Sequence, residues 1–108
     1  MSRRFVIGQV TVVTIAWILL AAYVAMIYNG LPEIIPVHWG FDGRPNRYGG
    51  KMEALWLLGV SAIFPAINAI LTLKFGKYNK GLPIILGVVF LFAMALFGFI
   101  FWTIASSV

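Results

Sequence analysis

Three long apolar runs leave few folds open to this chain. They predict helices at about residues 5–28, 52–73 and 82–105, with charged side chains only at the start of the second. Roughly 20 apolar residues carry a helix across the hydrocarbon core of a bilayer, and each run is at least that long. We therefore predict an all-α integral membrane protein with three transmembrane helices, forming a single membrane domain over residues 1–108. A short ordered extracytoplasmic loop, at about residues 29–51, joins the first two helices, with a small hairpin as one arrangement of that loop.

The composition agrees with a membrane location and excludes several functional classes. Hydrophobic residues make up 62% of the chain and charged residues 10%, whereas soluble domains have about 45–50% and about 25%. The absence of cysteine excludes disulfides, thiolate metal sites and cysteine nucleophiles. The net charge of +5 does not indicate nucleic-acid binding, because the basic residues flank the apolar runs instead of clustering on one soluble face. We expect the lipid bilayer as a partner and no nucleic acid.

The first apolar run is predicted to be an uncleaved membrane helix. Arg3 and Arg4 resemble the basic start of a signal peptide. The apolar part of a signal peptide, however, is only about 7–15 residues long, and this run is much longer.

The basic residues also predict the orientation of the chain, because cytoplasmic loops are enriched in lysine and arginine. Residues 31–51 contain three basic residues. The N-terminus and the second loop contain five, which are Arg3, Arg4, Lys74, Lys77 and Lys80. The count predicts a multi-pass protein of the cytoplasmic (plasma) membrane, with a cytoplasmic N-terminus and an extracytoplasmic C-terminus.

The loop between the first two helices contains three of the five prolines and the only histidine. Pro32 is expected to begin a short turn that Pro36 ends. The pair Asp42-Gly43 is typical of a two-residue hairpin turn. Gly49-Gly50 is predicted to be a flexible exit towards the second helix.

The second helix is predicted to be kinked and to carry one polar face. Pro65 removes an internal hydrogen bond and should kink the helix near Ser61 or Ala62. Ser61, Asn68 and Thr72 follow helical spacing and share a side. Such an intramembrane polar face turns towards other helices, where amides and hydroxyls find partners.

The candidates for catalysis or metal binding are few. A metal site that contains His38 would need about three or four ligands in all, and only Glu33, Asp42 and Glu53 could join it. We expect His38 to be a loop histidine bonded to the backbone or to Asp42, with a pH-sensing or ligand-contacting role as the alternative. Each carboxylate has its own structural explanation, Asp42 in a turn and the two glutamates at helix starts. We therefore predict no enzymatic activity, no metal and no cofactor.

The loop also carries a family signature. Leu31-Pro32-x-x-Ile35-Pro36-x-His38, then Gly43, then Asn46-Arg47-Tyr48-Gly49-x-Lys51, resembles the pattern of a prokaryotic family, domain of unknown function 1648. That domain also forms the N-terminal part of SdpI-type immunity proteins, which protect a cell against a secreted toxin and relay its presence to a repressor. With Asp42 added as the turn residue, the motif and partner-binding candidates are Pro32, Pro36, His38, Asp42, Gly43, Arg47, Gly49 and Lys51.

These observations favour a binding or sensing protein that uses its outer loop. The resemblance implies an immunity or signalling role, with a toxin-like peptide as the partner. Trp39, Phe41 and Tyr48 are expected to give the loop an apolar surface that caps the bundle. Such a cap would hold His38, Arg47 and Lys51 in fixed relative positions. The alternative is an accessory subunit whose polar helix face packs into a larger membrane complex. Whether copies of the chain form a homo-oligomer is left open by the sequence.

Overall fold

The computed structural model describes residues 3–79 and 81–106, so that Lys80, counted above for orientation, lies outside the described residues. The elements in chain order are helix α1 (Arg3–Tyr28), strands β1 (Ile34–Trp39) and β2 (Pro45–Gly50), and helices α2 (Met52–Ser61), α3 (Ile63–Phe75) and α4 (Leu82–Ser106). Taken together, α2 and α3 form one span, Met52–Phe75. Three spans of the described chain are thus long and apolar enough to cross a membrane, with a two-stranded hairpin between the first and second. The predicted fold class, a multi-pass membrane protein, is confirmed.

The second span is interrupted at Ala62, as the position of Pro65 predicts. Proline has no N–H to donate to the carbonyl of Ser61, and its ring crowds that carbonyl. The N–H of Ala62 instead bonds the Gly59 carbonyl three residues back, at 3.2 Å, which tightens the last turn of α2. The span therefore consists of α2, with 10 residues next to the hairpin, and α3, with 13 residues.

The turn of the hairpin is wider than Asp42-Gly43 alone. The N–H of Gly43 donates to the Gly40 carbonyl at 3.1 Å, and the N–H of Gly40 donates to the Arg44 carbonyl at 3.0 Å. The Asp42 carboxylate accepts the N–H of Arg44 at 3.1 Å. Gly43 has φ = +79°, and no non-glycine residue of the described chain has a positive φ. The prediction of a two-residue turn is wrong, because that turn needs left-handed conformations that Asp42 does not adopt.

The strands are longer than the local sequence indicates. Pro36 lies inside β1 and does not end a turn, while Gly49 and Gly50 belong to β2 and are not a flexible exit. The strands pair antiparallel, with Ile35 opposite Gly49. The Lys51 N–H extends the ladder by donating to the Glu33 carbonyl at 3.0 Å. Glu33 thus precedes a strand, and the explanation of Glu33 as a helix-start anion is wrong.

The hairpin is attached to the helices through the hydrophobic core. Ile35 of β1 is fully buried, and Leu31 just before the strand is nearly so. Both pack in one cluster with buried residues of α1, α2 and α4, which are Leu20, Val24, Ala54, Met94, Phe101 and Ile104. Because burial of a large aliphatic side chain is worth about 1.5–3 kcal/mol, these two residues hold β1 firmly on the bundle.

Only part of the expected aromatic cap forms. Trp39 packs against the core cluster, whereas Phe41 and Tyr48 are exposed. Tyr48 belongs to β2, which is the more exposed strand, and Phe41 lies in the turn. The strand that caps the bundle is therefore β1, through aliphatic residues as well as Trp39.

A candidate binding site on the hairpin

The hairpin places His38 and Arg47 opposite each other on its paired strands. The register is irregular between Pro36 and His38, so the strand bulges at Val37. A bulge redirects the side chains that follow it. His38 and Arg47 are both exposed, while Pro36 is buried. The two polar motif residues thus face solvent from a strand pair whose other residues reach the core.

His38 bonds a neighbour that sequence reasoning did not identify. Its Nδ1 lies 2.6 Å from Oδ1 of Asn46. An amide oxygen only accepts, so Nδ1 carries the proton and donates. The expectation of a bond to the backbone or to Asp42 is wrong, because the turn uses the Asp42 carboxylate for the Arg44 N–H. With Nδ1 used in this bond, Nε2 is the ring nitrogen of this exposed histidine that a ligand would meet.

Arg47 connects β2 to the first turn of α2. Its Nη2 lies 3.4 Å from Oε2 of Glu53, with the side chains 63% and 38% exposed. The carboxylate of Glu53 also lies against Gly49, where a Cβ atom would collide with it. The glycine of the motif therefore makes room for this ion pair. Ion pairs at such exposure contribute little to stability, so Arg47 can exchange Glu53 for another anion at small cost.

An apolar cavity of about 320 Å³ opens beside this ion pair. Its charged lining residues are Arg47 and Glu53, and its apolar lining residues are Val37, Ala54, Trp56, Leu57, Val60 and Ile104. Ligand sites in proteins are typically apolar with a few polar groups that fix orientation. This cavity has that character, and it fits an apolar side chain next to a polar or charged group.

The remaining motif residues are placed around the site and not in it. Lys51 lies at the junction of β2 and α2, with Nζ 4.7 Å from the centre of the Tyr28 ring. Asp42 and Gly43 form the turn at the far end, and Pro32 is exposed ahead of β1. Glu53 was not among the predicted partner-binding residues. Its acidic side chain, two positions after the lysine of the motif, is the feature of the sequence that could have indicated it.

The intramembrane polar face is buried, and its hydrogen-bonding groups are used within the chain. Ser61, Asn68 and Thr72 have no exposed surface. Asn68 and Gln9 form a reciprocal amide pair, in which Gln9 Nε2 donates to Asn68 Oδ1 at 2.8 Å and Asn68 Nδ2 donates to Gln9 Oε1 at 3.0 Å. Thr72 Oγ1 also donates to Asn68 Oδ1, at 3.3 Å. Trp17 Nε1 donates to Ser61 Oγ at 2.9 Å.

These bonds connect α1 to both halves of the second span. Gln9 Nε2 also donates to the Pro83 carbonyl at 2.9 Å, so α4 is included as well. Among the described residues, no buried side-chain nitrogen or oxygen lacks a partner. The same part of the chain contains no group of three histidine or acidic residues placed to hold a metal ion.

Comparison with known proteins identifies the region that contains the site. Residues 15–63 match the family model described as Domain of unknown function (DUF1648). This region of the chain is similar to the DUF1648 family. The family predicted from the loop signature is confirmed, and the DUF1648 region extends from the middle of α1 through the hairpin to the start of α3.

The chain also has a relative in an archaeon. An uncharacterized protein of Archaeoglobus fulgidus is 43% identical over 67 residues, which are 61% of this chain and 37% of the relative. The chain thus spans little more than a third of the length of that relative. No solved structure matches the chain.

Proposed function

We propose that this chain is a non-catalytic binding protein of the plasma membrane, whose hairpin receives a protein partner on the extracytoplasmic side. The observation that carries the proposal is the position of Arg47. Its guanidinium lines an apolar cavity, is only weakly paired with Glu53, and lies across the strand pair from the exposed His38.

The rigidity of the hairpin supports recognition. A solvated linker would lose conformational entropy each time it met a partner. Here Ile35 and Leu31 are already buried, and the Lys51 N–H bonds the Glu33 carbonyl. The site is therefore formed before any partner arrives.

The chemistry of the site suggests a peptide partner. The cavity accepts an apolar side chain, and Arg47 donates a forked pair of N–H groups to a carboxylate. His38 offers a further hydrogen bond at the exposed edge. A toxin-like peptide with an apolar residue next to an acidic group or a free C-terminus has these features. This partner agrees with the immunity role of SdpI-type proteins that the loop signature implies.

The alternative of an accessory subunit loses its main argument. It depended on a polar helix face seeking a partner in a larger complex. Asn68, Thr72 and Ser61 instead bond Gln9 and Trp17 of the same chain and one another. The hairpin is the surface with polar groups still open to a partner.

Photo-crosslinking in cells tests the proposal. Tyr48 is exposed on β2 and Tyr78 is exposed in the loop after α3, so a photoreactive phenylalanine analogue at either position should leave the fold intact. We expect a protein or peptide adduct from position 48, and loss of that adduct when Arg47→Gln or His38→Ala is added. Position 78 is the matched control and should not give this adduct. Absence of an adduct from position 48, or an adduct that neither substitution weakens, would refute the proposal.

A further inference from the structure

Phe41 is the most exposed large hydrophobic side chain of the described residues. Its relative exposure is 115%, and the next highest is 81%, at Met26 in α1. Phe41 lies in the turn of the hairpin, outside the cavity described above. A fully exposed phenylalanine at the end of an ordered hairpin is costly in water, because its whole apolar surface stays hydrated.

The residues that line two cavities indicate how the hairpin lies relative to α4. Val37 lines one cavity together with Ile104, near the end of α4. Trp39 and Gly43 line a second cavity of about 310 Å³, whose other lining residues are Phe99, Ile100 and Thr103. The positions closer to the turn thus share a cavity with α4 residues further from its C-terminal end. The turn therefore points back along the helix and not away from the bundle.

The length of α4 gives the depth of the turn. Its 25 residues form a helix of about 37 Å, against a hydrocarbon core of about 30 Å. If α4 is centred in the hydrocarbon core, about 4 Å of the helix extends beyond each face of the core. The boundary at the C-terminal end of α4 then lies near Thr103. Phe99 lies about 10 Å along the helix from Ser106. Because Gly43 of the turn shares a cavity with this stretch, we expect the turn at or just below the boundary.

Two exposed tryptophans mark the same level independently. Trp56 lies one turn after the start of α2, and Trp102 lies one turn before the end of α4. They are 74% and 57% exposed. Tryptophan is enriched at the boundary between headgroups and acyl chains. Trp102 falls between Phe99 and Thr103, two of the three α4 residues that line the cavity next to the turn.

We propose that the turn of the hairpin is inserted into the outer interface of the bilayer, with Phe41 as the anchoring side chain. The partner of this surface is the lipid. Gly43, Gly40 and Arg44 have their N–H groups bonded within the turn, which lowers the cost of insertion. Asp42 and Arg44 are charged, so they extend to the headgroups and set the limit of depth. Phe41 anchors the hairpin at its turn, while the buried Ile35 attaches the start of β1 to the helices.

Depth-dependent quenching tests this inference in the full chain. The chain has no cysteine, so Phe41→Cys creates a single site for an environment-sensitive fluorophore in lipid nanodiscs. We expect quenching by a nitroxide attached near the headgroup end of the acyl chain, and protection from iodide in the water. Leu19→Cys, exposed in the middle of α1, is the deep control and should respond best to a nitroxide near the methyl end. Tyr48→Cys, exposed on β2, is the aqueous control and should respond to iodide.

Iodide quenching of the fluorophore at position 41 as strong as at position 48, with no response to the lipid nitroxides, would overturn the inference. Folding is checked on the unlabelled Phe41→Cys protein by its helical circular dichroism and its elution from a sizing column. Both should match the unmodified protein, because the Phe41 side chain is fully exposed. An unfolded variant would also contradict the inference, since it would show that Phe41 packs in the protein.

Discussion

The amide pair between Gln9 and Asn68 should be the strongest single polar connection between the spans. Asn68→Leu removes both bonds of the pair and leaves the Gln9 amide oxygen without its donor. Interhelical hydrogen bonds in membrane proteins contribute about 0.6 kcal/mol on average and about 1.7 kcal/mol at most. Two bonds therefore predict a loss of about 1–3 kcal/mol in the free energy of unfolding.

A double-mutant cycle separates the hydrogen bonds from the change in shape. Gln9→Met keeps the length of the side chain and removes its amide, and the double variant combines it with Asn68→Leu. The steric cost of leucine occurs in both the single and the double variant, so the coupling energy reports the pair itself. We expect a coupling of about 1–2 kcal/mol, since replacing both amides leaves neither member of the pair unsatisfied.

Unfolding by an anionic detergent titrated into mild micelles, followed by tryptophan fluorescence, measures these free energies. Thr11→Val is the matched control. Its hydroxyl donates to the Ile7 carbonyl within α1 on an exposed face, so its removal should change stability little. A coupling near zero, or an Asn68→Leu protein as stable as the original, would show that the pair does not hold the spans together.

Three further outcomes can be checked with single substitutions. Gly43→Val should destabilise the hairpin by about 1–2 kcal/mol, because a β-branched residue is strained at positive φ, whereas Gly43→Asn should be tolerated; proteolysis of the hairpin in detergent compares the two. Gly49→Ala should displace the Glu53 carboxylate and loosen the hairpin, and a rate of amide exchange equal to that of the original protein would contradict this. For orientation, a cysteine at Asn46 should react with a membrane-impermeant thiol reagent on intact cells and a cysteine at Tyr78 should not, and the reverse pattern would invert the topology.

Features that depend on local chemistry were predictable from the sequence. The apolar runs set the three spans, since their length and lack of charge leave no other stable arrangement in lipid. Pro65 set the interruption at Ala62 because the missing N–H and the ring act within one turn. The helical spacing of Ser61, Asn68 and Thr72 placed them on one side, and all three are buried.

Features that depend on distant partners were not predictable in the same way. The strands extend through Pro36 and Gly49-Gly50 because Ile35 is held in a core supplied by three helices. Local propensity disfavours a strand at proline and glycine, and tertiary packing overrides it. The partner of Asn68 is 59 residues away in sequence. Gln9, the one amide in the first apolar run, indicated that a partner existed without showing which residue it was.

The neutrality of the polar connections has an electrical consequence. A unit charge moved across the membrane exchanges about 2.3 kcal/mol with each 100 mV of potential. No charged side chain lies in residues 5–32, 54–73 or 82–105. The side-chain bonds described above between the spans join amides, a hydroxyl, an indole and a backbone carbonyl. Small shifts of one span against another therefore carry no side-chain charge through the field. We therefore expect the packing of these helices to be the same in an energised and a depolarised membrane. The side-chain charges on which a voltage acts lie in the hairpin, at the start of α2 and among the basic residues of the N-terminus and the second loop.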